Sequence, residues 1–170
     1  MKSLSQIRNK IFSSENITAF VQAEKFAGKS VVFTNGCFDI LHKGHVEYLA
    51  QAADLGDTLV VGINSDASVK RQGKGDERPI NPVDARATLL AALGFVGAVV
   101  EFDGDTPIEI IEKIVPNVLV KGADYDPQEA DPNNKKYIVG REVVLDNGGE
   151  VKVIDLVPGY STTNIVNKLK

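Results

Sequence analysis

The chain contains two histidines, and both fall in one stretch, "TNGCFDILHKGHVEYL" (Thr34 to Leu49), three residues apart as His42 and His45. An apolar run ends just before them and a helical pattern begins just after. Three kinds of chemistry fit the pair. At a strand-to-helix turn, unpaired backbone N–H groups and the helix dipole are ready for an anion, and Gly36 and Gly44 let the backbone approach it. Two imidazoles there can donate hydrogen bonds to phosphate oxygens as charge builds in a transition state, each donor being worth roughly 100- to 1000-fold in rate. A metal site needs a third ligand, such as Asp39 or Cys37, and the spacing is not the i, i+4 of H-E-x-x-H. The third reading is a hydrogen-bonded structural histidine.

A second cluster, Ser161, Thr162 and Thr163, precedes the helical pattern "TNIVNKL". Such hydroxyls form an ordinary N-cap, worth about 1 kcal/mol. Facing another phosphate-binding helix start, they also complete a two-sided clamp on a triphosphate. The charged residues around these clusters each have two readings. Lys43 and Lys121 reach either solvent or an anion. Arg78 is an exposed loop arginine or a bidentate phosphate partner. Asp39 orients a ligand hydroxyl or caps the turn, and Asp124 and Tyr125 follow a strand, where a plain turn is equally expected. Arg86 is read as structural. Cys37 has no neighbouring base in sequence and is most simply a small packed residue.

The elements that must position these residues alternate. Strands are expected at Ser30–Asn35, Thr58–Ile63, Ala98–Phe102, Val118–Lys121 and Glu150–Leu156. Helical spacing occupies the intervals: Ile17 to Phe26, Val46 to Leu55, Val83–Leu93, Pro107–Val115, Tyr137–Asp146 and Thr162–Leu169. The polar stretch "NSDASVKRQGKGDERPINP" reads as a loop with one helical turn. Several strands are continuous apolar runs, as when helices cover both faces of a sheet. The pattern predicts an α/β protein with a doubly wound, Rossmann-like, five-stranded parallel sheet. Residues 1–28 form an N-terminal helical extension and 29–170 a single globular domain. In such folds ligands sit at the carboxyl ends of the strands, where Gly36–His45, Asn64–Asp66, Lys121–Tyr125 and Gly159–Thr163 all fall.

Composition narrows the function classes. The net charge of -4 argues against a large nucleic-acid footprint. A single cysteine excludes an intramolecular disulfide and fits a reducing cytoplasm. No apolar run approaches the roughly 18 residues of a membrane span, and the N-terminus has no apolar core of a secretory signal.

"GCFDILHKGHVEYL" resembles the HxGH signature of the nucleotidyltransferase superfamily, which contains glycerol-3-phosphate cytidylyltransferase and phosphopantetheine adenylyltransferase. "STTNI" is similar to its second signature. Taken in order, "FTNGCFDILHKGH", "VGINSDASVKR", "RPINP", "LVKGADY", "NGGEV" and "STTNI" resemble the adenylyltransferase domain of bacterial ADP-heptose synthesis, from about Lys29 onward. Some members of that family are fused to a sugar kinase, for which 170 residues leave no room, so the likeness is to the stand-alone form.

The resemblance implies transfer of AMP from ATP to D-glycero-β-D-manno-heptose 1-phosphate. The product serves as a lipopolysaccharide core precursor. His42, His45 and Lys43 are then catalytic. Asn35, Gly36, Cys37, Phe38, Gly44, Lys121, Gly122, Asp124, Tyr125, Ser161, Thr162 and Thr163 bind the nucleotide, and Asp39 and Arg78 the sugar phosphate. Mg²⁺ arrives with ATP, no protein metal site is expected, and relatives form homodimers or larger homo-oligomers. A cytidylyltransferase acting on an alcohol phosphate is the alternative, against which stands the lack of an arginine in "LVPGYSTT". An archaeal-type FAD synthetase and a catalytically silent nucleotide-binding module complete the set.

Overall fold

The computed structural model describes residues 2–73, 75 and 77–169. Met1, Lys74, Asp76 and Lys170 lie outside them. The elements follow in the order α1 (Lys2–Arg8), β1 (Ile11–Phe12), α2 (Ile17–Phe26), β2 (Val31–Gly36), α3 (Lys43–Ala53), β3 (Thr58–Asn64), α4 (Asp66–Arg71), α5 (Val83–Ala91), β4 (Val96–Phe102), α6 (Ile108–Ile114), β5 (Val118–Gly122), α7 (Arg141–Asp146), β6 (Glu150–Ile154) and α8 (Thr162–Leu169). The sheet has the order β1-β4-β3-β2-β5-β6, and every pairing is parallel.

Six strands stand where five were expected. The sixth is β1, which pairs Ile11 with Val99 and Phe12 with Val100 at the sheet edge. Residues 2–28 are therefore not helical throughout. Their helix α2 buries Ile17 and Val21, and Lys25 donates to the Ile114 carbonyl at the end of α6, where a cation complements the helix dipole. Strand β4 begins at Val96 rather than Ala98, because the register shifts there. Leu59 pairs with Val96 and Val60 with Ala98, which leaves Gly97 as the extra residue of a bulge. Helix α7 is shorter than expected. Gly140, at φ +87°, breaks the backbone path between Tyr137 and Arg141. The loop after β3 holds a full helix, α4, whose N-cap Ser65 accepts from the Ser68 N–H.

Alternation along the strands sends side chains to two separate cores. Val32, Val61 and Val120 pack with Leu49 and Ala52 of α3 and Leu90 of α5. Val31, Phe33, Val60 and Leu119 pack with Ile17 of α2, Ile111 of α6 and Val144 of α7. With helices on both faces the central strands are largely buried, β3 throughout, which explains their apolar runs, whereas the edge strand β6 exposes Glu150 and Lys152. The chain runs β2, β3, β4 outward in one direction, then returns to lay β5 and β6 on the other side of β2. The crevice between the carboxyl ends of β2 and β5 is thus the switch point at which open α/β sheets bind ligands. No described helix is long and apolar enough to cross a membrane.

Candidate active site

At the end of β2 the backbone turns sharply. Phe38 adopts the left-handed region, φ +47°, which is costly for a bulky residue and is found most often at functional turns. Its ring meets His45 edge-on at 5.1 Å. His42 then caps α3 in extended geometry, and its Nδ1 accepts the His45 backbone N–H at 3.3 Å. That bond places the proton of a neutral His42 ring on Nε2. The His42 and His45 rings are stacked, with centroids 3.7 Å apart. Gly44 leaves them room: a Cβ there would lie 3.0 Å from Tyr160 Cβ and 3.2 Å from the His42 ring.

Both imidazoles favour the neutral form. Burial, then the neighbouring His42, push His45 down to about 4, while the Ile40 backbone acts the other way. Burial likewise lowers His42. The His45 Nδ1 is buried and lacks a hydrogen-bond partner among the described residues. Near pH 7 the rings are therefore uncharged hydrogen-bond donors.

The facing wall comes from β5. Lys121 Nζ donates to Asn35 Oδ1 at 3.0 Å and sits 4.7 Å from the centre of the Tyr125 ring. Gly122 has no space for a side chain, since a Cβ would meet Asp124 Oδ1 at 2.6 Å. The start of α8 supplies the third wall. Ser161 Oγ accepts the Asn164 N–H at 3.0 Å and caps the helix. Thr162 lines the resulting cleft, of about 380 Å³, together with Gly36, His42, His45, Lys121 and Asp124. Asn35, Cys37, Phe38, Gly44, Gly122, Tyr125 and Ser161 line it as well. Thr163 lines an adjoining hollow of about 370 Å³, which shares Cys37, Phe38, His45 and Thr162 with the cleft. Two helix starts and two strand ends thus converge on one space, with backbone N–H groups and neutral donors suited to phosphate.

Three expected residues are engaged elsewhere. Lys43 is exposed, pairs with Glu47 at 3.3 Å and does not line the cleft. Asp39 is 1% exposed. Its carboxylate accepts from the Ile80 and Asn81 N–H groups at 2.9 Å and from Arg78 Nε. Burial opposes its charge, but the Asn81 and Ile80 bonds and Arg78 together hold its carboxyl below the usual range. Asp39 and Arg78 therefore clamp the 78–81 loop to the β2 turn, and both also line the smaller hollow. Arg86, 1% exposed, donates to the carbonyls of Cys37 and Asn64 at 2.8 Å and of Asn81 at 3.0 Å, and pairs with Asp66 at 2.7 Å. It ties three loops together beneath the site.

Tyr48, Asn64, Gln72 and Tyr160 also line the cleft; sequence reasoning put Asn64 and Tyr160 at the strand ends without a role and missed Tyr48 and Gln72. Tyr48 was within reach: it lies three residues beyond His45 and so on the same face of α3, and its hydroxyl bonds to buried Thr34 at 2.7 Å. Among the described residues no three of His, Cys, Asp or Glu gather to hold a metal ion.

A parallel α/β sheet that presents two helix starts at its switch point is the architecture of a phosphate-handling protein. The chain belongs to the cytidylyltransferase-like family, whose profile matches residues 33–168. It is 52% identical over 161 residues to the bifunctional protein HldE of Geotalea uraniireducens, a match covering 95% of this chain and 31% of that protein. HldE of Campylobacter concisus is 58% identical over 142 residues, 84% of this chain and 27% of the relative. The chain thus spans under a third of these relatives. Among solved structures, a lipopolysaccharide core biosynthesis protein from Thermoplasma volcanium superposes with a TM-score of 0.58 at 27% identity, covering 76% of this chain and 98% of its own. A pantoate-beta-alanine ligase from Francisella tularensis, at TM-score 0.56 and 16% identity, shares the fold.

Proposed function

We propose that this chain transfers the adenylyl group of ATP to the phosphate of D-glycero-β-D-manno-heptose 1-phosphate. The products are the ADP-sugar and pyrophosphate, and the setting is the cytoplasm. The observation that carries the reading is the stacked, neutral His42–His45 pair at one helix start, facing Thr162 at another across a single cleft. An oxygen of the sugar phosphate attacks the α-phosphorus, the bond to the bridging oxygen breaks, and that oxygen leaves with the electron pair on pyrophosphate. The nucleophile is already an anion at neutral pH, so no general base is needed. The work of the protein is positioning and charge stabilisation.

The His42 and His45 rings donate to the phosphoryl oxygens as charge develops. Lys121 and the α8 start hold the triphosphate. Mg²⁺ fits as an ion carried by the nucleotide with its own waters: Asp39 is engaged by Arg78, Ile80 and Asn81. The ordered motifs support the heptose acceptor, as does a match to HldE proteins over nearly the whole chain.

The test is pyrophosphate release from ATP or CTP against a panel of sugar and alcohol phosphates, with Mg²⁺ restored after EDTA treatment. ATP with the heptose phosphate should be the best pair. Comparable turnover with CTP, or none with ATP, overturns the assignment.

A further inference from the structure

A separate hollow of about 420 Å³ adjoins the cleft on the side away from α8. It shares Asn35, Asn64, Gln72, Lys121 and Tyr125 with the cleft, so the two spaces meet at the Lys121 ammonium. Its outer wall is built from the α6 approach, Asp105 to Pro107, and from Tyr137 and Val139. We infer that this hollow is the sugar-binding subsite, with Tyr137 as the ring on which a pyranose packs. The inference rests on the adenylyl-transfer reading above.

Its chemistry suits a carbohydrate. A sugar presents hydroxyls around its edge and C–H groups on its face, so a matching site needs fixed amides at the sides and an aromatic ring below. Two amides border this space with their oxygens engaged. Gln72 Oε1 accepts from Cys37 Sγ at 3.2 Å, and Asn35 Oδ1 accepts from Lys121. Each bond engages the amide oxygen and leaves the –NH₂ as the group available to a ligand oxygen. Of the two tyrosines, Tyr125 already carries the Lys121 ammonium over its ring. Among the described residues no cation is seated on the Tyr137 ring, and its hydroxyl donates to Glu142.

The wall that carries Tyr137 is rigidly built although it is a long loop. Ile138, fully buried, roots it in the core beside Tyr137. The Asp126 N–H donates to the Lys136 carbonyl at 2.9 Å, and Arg141 Nε donates to the Pro127 carbonyl at 2.9 Å. A pre-formed ring binds at low entropic cost. A sugar seated on it points its 1-phosphate toward Lys121, where the two spaces join.

Calorimetric titration in the presence of a non-hydrolysable ATP analogue tests the assignment, with D-glycero-β-D-manno-heptose 1-phosphate as one probe and glycerol 3-phosphate, which has no ring, as the other. Tyr137→Ala should weaken the heptose phosphate about tenfold or more, the size of one aromatic contact. Affinity for the ATP analogue should stay unchanged, and Tyr137→Phe should retain most of the sugar affinity. Thermal melting confirms that each variant folds. Equal loss for both probes, or a change confined to the ATP analogue, overturns the subsite. If wild type releases pyrophosphate with the heptose phosphate but Tyr137→Ala leaves its binding unaltered, only the subsite falls. If wild type binds no sugar phosphate, the subsite and the proposed acceptor fall together.

Discussion

The imidazoles of His42 and His45 lie face to face, with centroids 3.7 Å apart and planes 14° from parallel. Two protonated rings at this distance repel, so the stack and the burial of His45 both favour neutrality. This sets a pH window. Above pH 6.5 His45 is neutral in folded and unfolded chains alike. Between 6.5 and about 4 the unfolded chain takes up a proton that the folded protein refuses. The unfolded state then binds more protons, so stability falls as pH falls. Below about 4 both states are protonated and this contribution levels off. The loss should be on the order of 2 kcal/mol once partial exposure is allowed for. Melting temperature should therefore drop between pH 6.5 and 4.5, and His45→Gln should flatten the drop. An unchanged slope in the variant would remove His45 as its source.

His45→Ala should lower turnover far more than it lowers ATP binding, because a donor aimed at developing charge gains strength in the transition state. The expected loss is about 100-fold or more. Single-turnover rates at saturating ATP, with circular dichroism to confirm folding, provide the measurement. A folded variant with near-normal turnover would make this histidine structural.

The two hydroxyls at the start of α8 should separate. Ser161 Oγ holds the Asn164 N–H, so Ser161→Ala should cost about 1 kcal/mol of stability. Thr162 lines the cleft, so Thr162→Ala should weaken ATP with little change in melting. Thermal melts and ATP titrations of both variants would reveal the opposite pattern if the roles were exchanged.

Much of this was legible in the sequence because burial on both faces leaves continuous apolar runs, as at "SVVF" and "TLVVGI", and because glycines and hydroxyls mark the turns. The expected strand at Thr58–Ile63 ends one residue short of the observed one, at a boundary set by pairing with β4. Strand β1 was invisible, since two residues carry no periodicity and Ile11–Phe12 become a strand only by pairing with Val99 and Val100. Helix α4 hid in a polar stretch, as it needs one buried face of only Ser68 and Val69. Asn64 was legible as the residue that ends the second expected strand at the ligand edge, whereas Gln72 arrives by tertiary placement alone. Arg86 read as structural from its helical position, but its partners at Cys37 and Asn64 are far along the chain.

Those partners make Arg86 the residue whose loss should most damage the fold around the site. Arg86→Met would leave the carbonyls of Cys37, Asn64 and Asn81 without their donor, and Asp66 without its cation. Breaking a buried charged network in this way costs about 3–5 kcal/mol. Urea unfolding should show a loss of unfolding free energy of about that size, read from the fall in midpoint multiplied by the slope, with Arg86→Lys recovering only part because an ammonium cannot reproduce the planar fork. A midpoint within experimental error of wild type would mean that the loops are held by other contacts.

Gly44 offers the sharpest separation of fold from function. A methyl group there would press on the His42 ring at 3.2 Å and on Tyr160 Cβ at 3.0 Å. His42 cannot yield freely, because its Nδ1 holds the His45 N–H and its ring stacks on His45. Alanine is meanwhile the better helix former, by about 0.5–1 kcal/mol. These effects oppose each other in stability, so Gly44→Ala should melt within about 1 kcal/mol of wild type. They do not oppose each other in catalysis. A ring moved by a fraction of an ångström loses alignment with the phosphoryl group, and turnover should fall at least about tenfold. Single-turnover rates beside thermal melts decide the matter. Normal turnover in a normally folded variant would show that the orientation of His42 does not govern the reaction.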